Sequence, residues 1–108
     1  MIDYSTFEKL DLRVGTVLKA KDFLKAKKPA YQLEIDFGPI GILKSSAQIT
    51  KHYSIRALKG RQIIAVVNIG SLKIADFESQ CLVLGVKQNE EIILLVPDSK
   101  IPNGQQVF

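Results

Sequence analysis

An all-β barrel with little helix is the fold class this sequence predicts, and three observations predict it. Residues Tyr31 to Phe37 alternate cleanly, Tyr31, Leu33, Ile35 and Phe37 on one face and Gln32, Glu34 and Asp36 on the other, as in a half-buried strand. The β-branched run Ile63, Ile64, Val66 and Val67 suits a strand covered on both sides. No apolar stretch is longer than Ile63 to Val67, so the chain is built from short pieces. At 108 residues these pieces are expected to form one domain spanning residues 1–108.

Taken in order, Leu12 to Lys21 reads as a long first strand, with Val14, Thr16, Leu18 and Ala20 sharing a face and Gly15 where a strand bends or bulges. Asp22 to Pro29 is a lysine-rich loop ended by proline, and Tyr31 to Phe37 is the second strand. After the turn pair Gly38-Pro39, Ile40 to Lys44 is expected as a third strand, with Ser45 and Ser46 capping one or two helical turns over Gln48 to Tyr53. In those turns Ile49 and Tyr53 point inward, with Lys51 and His52 outside. Gln62 to Asn68 is the core strand, Gly70 to Ser79 a loop, and Cys81 to Val86 with Ile92 to Val96 a hairpin joined by Lys87 to Glu91.

Charge is unevenly placed. The net charge is +4, yet from Lys19 to Lys73 eleven Lys and Arg face only three acidic residues, Asp22, Glu34 and Asp36. Five lysines fall between Lys19 and Lys28, the most basic stretch, and no carboxylate lies between Phe37 and Ala75. A basic centre gathered on one side of a barrel suits a polyanion.

Other function classes find little support. The single cysteine, Cys81, lies in an apolar run and reads as a small buried hydrophobe in a reducing compartment. One His and one Cys give neither metal-ligand spacing nor an activated nucleophile, and no Walker loop or G-x-S-x-G elbow is present. The expectation is a binding protein, not an enzyme, with no cofactor. The N-terminus has no signal-peptide pattern and no run approaches the roughly 20 residues of a membrane span, so a cytoplasmic location is expected.

Several segments also resemble a known family. Leu10-Asp11-Leu12-Arg13-Val14-Gly15-Thr16-Val17, Leu33-Glu34-Ile35-Asp36-Phe37-Gly38 and Lys44-Ser45-Ser46-Ala47-Gln48-Ile49-Thr50-Lys51 are similar, in that order, to the tRNA-binding OB domain shared by CsaA proteins and some aminoacyl-tRNA synthetase appendages. Ala65-Val66-Val67-Asn68 with Lys73-Ile74-Ala75 and Ser79, and the ending Pro102-Asn103-Gly104, continue the likeness over nearly the whole chain. The chain departs from the CsaA pattern at Gly70, Ser71, Leu72 and Lys73, where CsaA proteins tend to have prolines and paired arginines, and from other family branches after Ser79, where they have a glycine and a methionine and this chain has Gln80, Cys81 and Leu82. The resemblance implies a five-stranded OB-fold Greek-key barrel with short helical segments, tRNA as partner, a homodimer formed through the terminal segments, and a chaperone or export role with unfolded or exported polypeptides.

In such a barrel the ligand lies across one face and its loops. Lys44, Lys51 and Lys73 are the expected phosphate contacts, Ser45, Ser46 and Ser79 can hydrogen-bond phosphate or 2′-hydroxyl oxygens, and Asn68 offers both donor and acceptor. Each serine has a competing role as cap or turn, and Asn68 as a strand end. Phe77 and His52 are secondary candidates, the one for stacking on a base or covering a barrel end, the other for a ligand contact. Ile2, Tyr4, Phe7, Ile101, Val107 and Phe108 are the expected dimer contact, or the lining of an apolar polypeptide groove.

Overall fold

The computed structural model describes residues 1–108. A short helix, α1 (Tyr4–Phe7), precedes the long strand β1 (Leu12–Asp22), followed by β2 (Tyr31–Asp36) and β3 (Ile42–Ala47). A second short helix, α2 (Ile55–Leu58), leads into β4 (Gln62–Val66). Then come a hairpin of β5 (Leu72–Ile74) and β6 (Phe77–Ser79), the two-residue strand β7 (Leu82–Val83), a hairpin of β8 (Gly85–Gln88) and β9 (Glu91–Leu94), and β10 (Gln106–Val107). No helix is long and apolar enough to cross a membrane.

The main sheet runs β3-β2-β1-β4-β7, with β10 laid against the start of β1. Besides β10, β1 serves two longer partners: Leu12 to Thr16 pair with β4, and Thr16 to Asp22 pair with β2. This double use curls the sheet into an all-β OB-like barrel. The expected bend is real, but it is not at Gly15. The register shift between β1 and β2 lies between Val17 and Lys19, so Leu18 is the extra residue. Gly15 is there for space, since a Cβ would come within 2.7 Å of Ile35 Cγ2 and the Phe37 ring.

The barrel interior takes the inward residues of β2, Leu33 and Ile35, together with Val17, Phe37, Leu58, Ile63 and Ala65, all essentially buried. Tyr53 closes this core with two hydrogen bonds. Its carbonyl accepts from the Tyr31 hydroxyl at 2.8 Å and its own hydroxyl accepts from the Leu94 amide at 3.0 Å. A smaller cluster of Phe23, Ala30 and Phe77, with Ala26 and Ile74 against it, ties the β1–β2 loop to the β5–β6 hairpin.

Five local expectations are corrected. The third strand starts at Ile42, because Gly38–Ile40 form a 3-10 turn that Phe37 and Gly41 close, and it extends through Ser45 and Ser46 to Ala47. Those serines are therefore strand residues and not caps. The regular helix lies further on: Ser54 caps α2 by accepting the Ala57 amide at 3.1 Å, whereas Gln48–Tyr53 keeps only one turn, with the Tyr53 amide on the Ile49 carbonyl. Ile49 and Tyr53 are buried as expected. The stretch expected as a loop over Gly70 to Ser79 contains the β5–β6 hairpin, and Cys81 to Val86 divides into β7 and the start of the β8–β9 hairpin.

Gly15→Ala is expected to lower stability by about 1–3 kcal/mol, the usual cost of overpacking a filled core. In a urea titration the midpoint should fall with an unchanged slope. An unchanged midpoint would show that the contact of Gly15 with Ile35 and Phe37 is slack.

Candidate nucleic-acid interface

The barrel closes where β3 meets the segment Ser79–Cys81. The Gln80 amide donates to the Lys44 carbonyl at 2.7 Å, and the Lys44 amide donates to the Gln80 side-chain oxygen at 2.9 Å. The Ser46 amide donates to the Ser79 hydroxyl at 3.0 Å, and the Ser45 hydroxyl donates to the Cys81 carbonyl at 3.0 Å. Side chains thus supply much of a seam that a strand ladder would normally fill.

This closure sorts the candidate residues. Ser45 is 1% exposed and its hydroxyl is committed to Cys81, so it belongs to the seam and not to a ligand surface. Ser46, next along β3, points the other way and stands opposite Gln32 on the outer face. Ser79 accepts from Ser46 and keeps its own hydroxyl proton to donate. Lys44 stands opposite Glu34, and its amine lies 5.4 Å from the centre of the Phe77 ring.

Phe77 is 9% exposed and packs against Phe23 at 5.3 Å between ring centres. Of its two expected roles, the covering one holds: a base has no free face to stack on. The same packing sets the β5–β6 hairpin down beside the β1–β2 loop. Lys73 stands opposite Glu78 on the hairpin, on the side away from Ile74 and Phe77, and is exposed.

Between hairpin and loop runs a groove of about 420 Å³. Lys25, Lys27 and Lys28 form one wall, Ser46 and Gln48 contribute polar groups, and Ile74 and Ala75 form the other wall. Ala75 sits at φ 54°, a left-handed conformation that costs a residue with a Cβ about 1 kcal/mol or more. Asp76 beside it takes the Lys25 amine at 3.0 Å. That hydrogen bond, reinforced by the charge of Lys25, holds the exposed Asp76 carboxyl below the usual carboxylate range. The three loop lysines and Gln48 were not among the expected contacts, although the Lys19–Lys28 stretch already stood out as the most basic.

Other cations lie elsewhere, so the basic middle of the sequence is not one patch. Lys51 lines a second groove of about 380 Å³ that shares Lys28 and Gln48 with the first. His52, half exposed, lies 3.6 Å from Glu91. Lys19, Lys21 and Lys59 surround a third hollow on the outer face of β1 and β2, with Glu34 among them. Arg61 and Lys100 line an open, polar cleft of about 680 Å³ beside the C-terminal segment.

Asn68 sits at yet another place. Its carbonyl oxygen accepts the Asp11 amide and its amide nitrogen donates to the Lys9 carbonyl, both at 2.8 Å, so both ends of the side chain already hold the entry to β1. Of the terminal apolar residues, Tyr4, Phe7, Val107 and Phe108 line one shallow groove, and Ile2 and Phe108 are exposed. Ile101 is apart from them, its backbone hydrogen-bonded to both ends of the Gln62 amide.

Cys81 is buried under the seam, and burial pushes its thiol up to about 11. At pH 8 a thiol with that pKa is ionised to only about one part in a thousand, which leaves almost no reactive thiolate. A disulfide reagent at pH 8 is expected to label the native protein at least tenfold more slowly than the urea-unfolded chain. Equal rates would mean that the seam opens readily.

Residues 12–106 match the family described as "Putative tRNA binding domain". Methionine-tRNA ligase of Methanothrix thermoacetophila is 36% identical over 104 residues, 96% of this chain but 15% of the enzyme, so the chain spans a small part of that relative's length. Two solved structures match end to end. The chaperone CsaA of Bacillus anthracis has 47% identity and a TM-score of 0.95, covering 100% of this chain and 99% of that one. The CsaA chaperone protein of Picrophilus torridus has 46% identity and a TM-score of 0.95, with both chains fully covered. A basic groove on a closed OB-like barrel, and matches that run from one end of the chain to the other, lead to one assignment: this chain is a CsaA-type member of the tRNA-binding domain family.

Proposed function

We propose that this chain is a tRNA-binding module, without catalytic activity, that recognises folded RNA by its backbone and shape. The groove between the β1–β2 loop and the β5–β6 hairpin is the observation that carries this reading. Its amines line the β1–β2 loop, which Phe23, Ala30 and Phe77 lock against the β5–β6 hairpin, and its one carboxylate neighbour, Asp76, is already engaged by Lys25. Lys27, Lys28 and Lys44 neutralise phosphates, and the hydroxyls of Ser46 and Ser79 with the Gln48 amide take phosphate or 2′-hydroxyl oxygens. Lys73 adds charge from the outer side of the hairpin. Such a module works in the cytoplasm, where its partner is.

A second reading rests on the exposed apolar ends. Tyr4 and Phe7, their tilted rings 6.2 Å apart between centres, form with Val107 and Phe108 a surface that one copy leaves uncovered. We place a homodimer contact there. A polypeptide client would use the apolar groove at that contact, in keeping with the chaperone names of the two CsaA structures. An exposed apolar surface at the chain ends suits a second copy of the same chain, which would cover it permanently, better than an open client site.

Lys44→Gln is expected to weaken tRNA binding and make the salt dependence shallower by about 0.7 to 0.9 in the slope of log affinity against log salt, the share of one phosphate contact. Circular dichroism should stay native. Unchanged affinity and slope would remove Lys44 from the site, and salt-independent binding by the wild-type chain would sink the RNA reading. Light scattering of the wild-type chain should give the mass of a dimer, and Phe7→Glu should shift it toward the monomer. A wild-type monomer would overturn the terminal contact.

A further inference from the structure

The second groove, on the far side of Lys28 and Gln48, has no part in the contacts expected from the sequence beyond Lys51. It brings Lys28, Lys51 and Lys87 together with the Thr50 hydroxyl and the Gln48 amide, and Glu90 is its one acidic side chain. These residues come from three separate places: the β1–β2 loop, the turn after β3, and the β8–β9 hairpin. The two grooves adjoin at Lys28 and Gln48, which line both, one of about 420 Å³ and the other of about 380 Å³.

The hairpin that carries Lys87 is a fixed arm. All four β8 residues are exposed, and Lys87 pairs across the arm with Ile92. Behind it, Leu94 is buried and Ile92 packs against the main core, which roots β9 in the barrel. At the base, Gly85 lets the two strands close tightly, because a Cβ there would meet Ile92 Cγ2 at 2.6 Å. At the tip Asn89 takes φ 56°, a conformation Asn tolerates better than most residues. A lysine on an arm rooted this way loses less freedom on meeting a ligand than one on a loose loop.

We propose that this second groove is a further RNA subsite: the strand that leaves the first groove crosses Lys28 and Gln48, and Lys51 and Lys87 hold its next phosphates. The inference rests on the tRNA-binding reading above and extends it, making the β8–β9 arm part of the RNA surface. A phosphodiester chain fits better than a polypeptide. The lining sets three amines, a hydroxyl and an amide against a single carboxylate, and its apolar surface comes from Pro29, Ile92 and the lysine stems, so the charge balance favours a polyanion.

The test uses the full chain with Lys51→Gln and Lys87→Gln together, titrated with unfractionated tRNA over a range of salt. A Lys19→Gln, Lys59→Gln double variant, which removes the same charge from the third hollow, is the control. The subsite variant should bind about one to two decades more weakly near 0.1 M salt, with a slope shallower by about 1.5, as expected for two lost phosphate contacts. The control should lose clearly less, and both should keep native circular dichroism. If the wild-type chain does not bind tRNA, the underlying reading falls. If it binds and the subsite variant equals the wild type or the control, the subsite alone is overturned. Unchanged tRNA binding with lost binding of polyglutamate would overturn it too, in favour of an acidic polypeptide.

Discussion

The closing seam between β3 and Ser79–Cys81 is the constraint on which the rest of this structure depends. It is made of only three residues on one side, and side chains of Ser45, Ser79 and Gln80 supply three of its hydrogen bonds. Any of these groups left buried without a partner would cost about 1–3 kcal/mol, and none of the buried side-chain polar atoms is left so. The seam fixes the end of β6, and through it the position of the whole β5–β6 hairpin. The hairpin then reaches the β1–β2 loop through Phe77 and Phe23, and the basic groove is the space left between them. Geometry made inside the barrel is thus passed directly to the basic groove.

Much of the barrel was legible because burial there follows the two-residue period of a strand. Tyr31 to Asp36 alternate in exposure as they alternate in chemistry, and Ile63 and Ala65 are fully buried. The failures share a cause, which is that the deciding partner is distant in sequence. Ser45 and Ser46 look like cap residues until Cys81 and Ser79, more than thirty residues on, are brought beside them. The β5–β6 turn has no Gly or Asn at Ala75-Asp76; packing of Ile74 and Phe77 imposes a left-handed alanine that local propensity argues against. Ser54 carried a readable signal, a capping hydroxyl three residues before Ala57, which the apolar pair Ile49 and Tyr53 outweighed.

The site was legible as composition and not as an arrangement. Density of lysine from Lys19 to Lys28 marks the loop that forms the groove wall, whereas motif position marked Lys44, Lys51 and Lys73, which the fold sends to three different surroundings. Asn68 shows the same limit from the other direction. An amide that ends a core strand suits a ligand, yet here it holds the chain entering β1. Spacing along the chain identifies polar side chains worth attention, and only the sheet register says which of them face the same water.

The tail is held as firmly as any strand. Asn103 accepts from the Thr16 hydroxyl and the Gln62 amide, and the Gly104 amide donates to the Val14 carbonyl, in a space beside Phe37 where a Cβ would not fit. With β10 on Leu12 and Arg13, both chain ends gather at the first residues of β1, while the lysine loop begins at its last, roughly 30 Å along the strand at about 3.3 Å per residue. Anything attached at either end would therefore meet the barrel at the end of β1 away from the lysine loop. That layout keeps whatever meets the chain ends clear of the lysine loop and its groove.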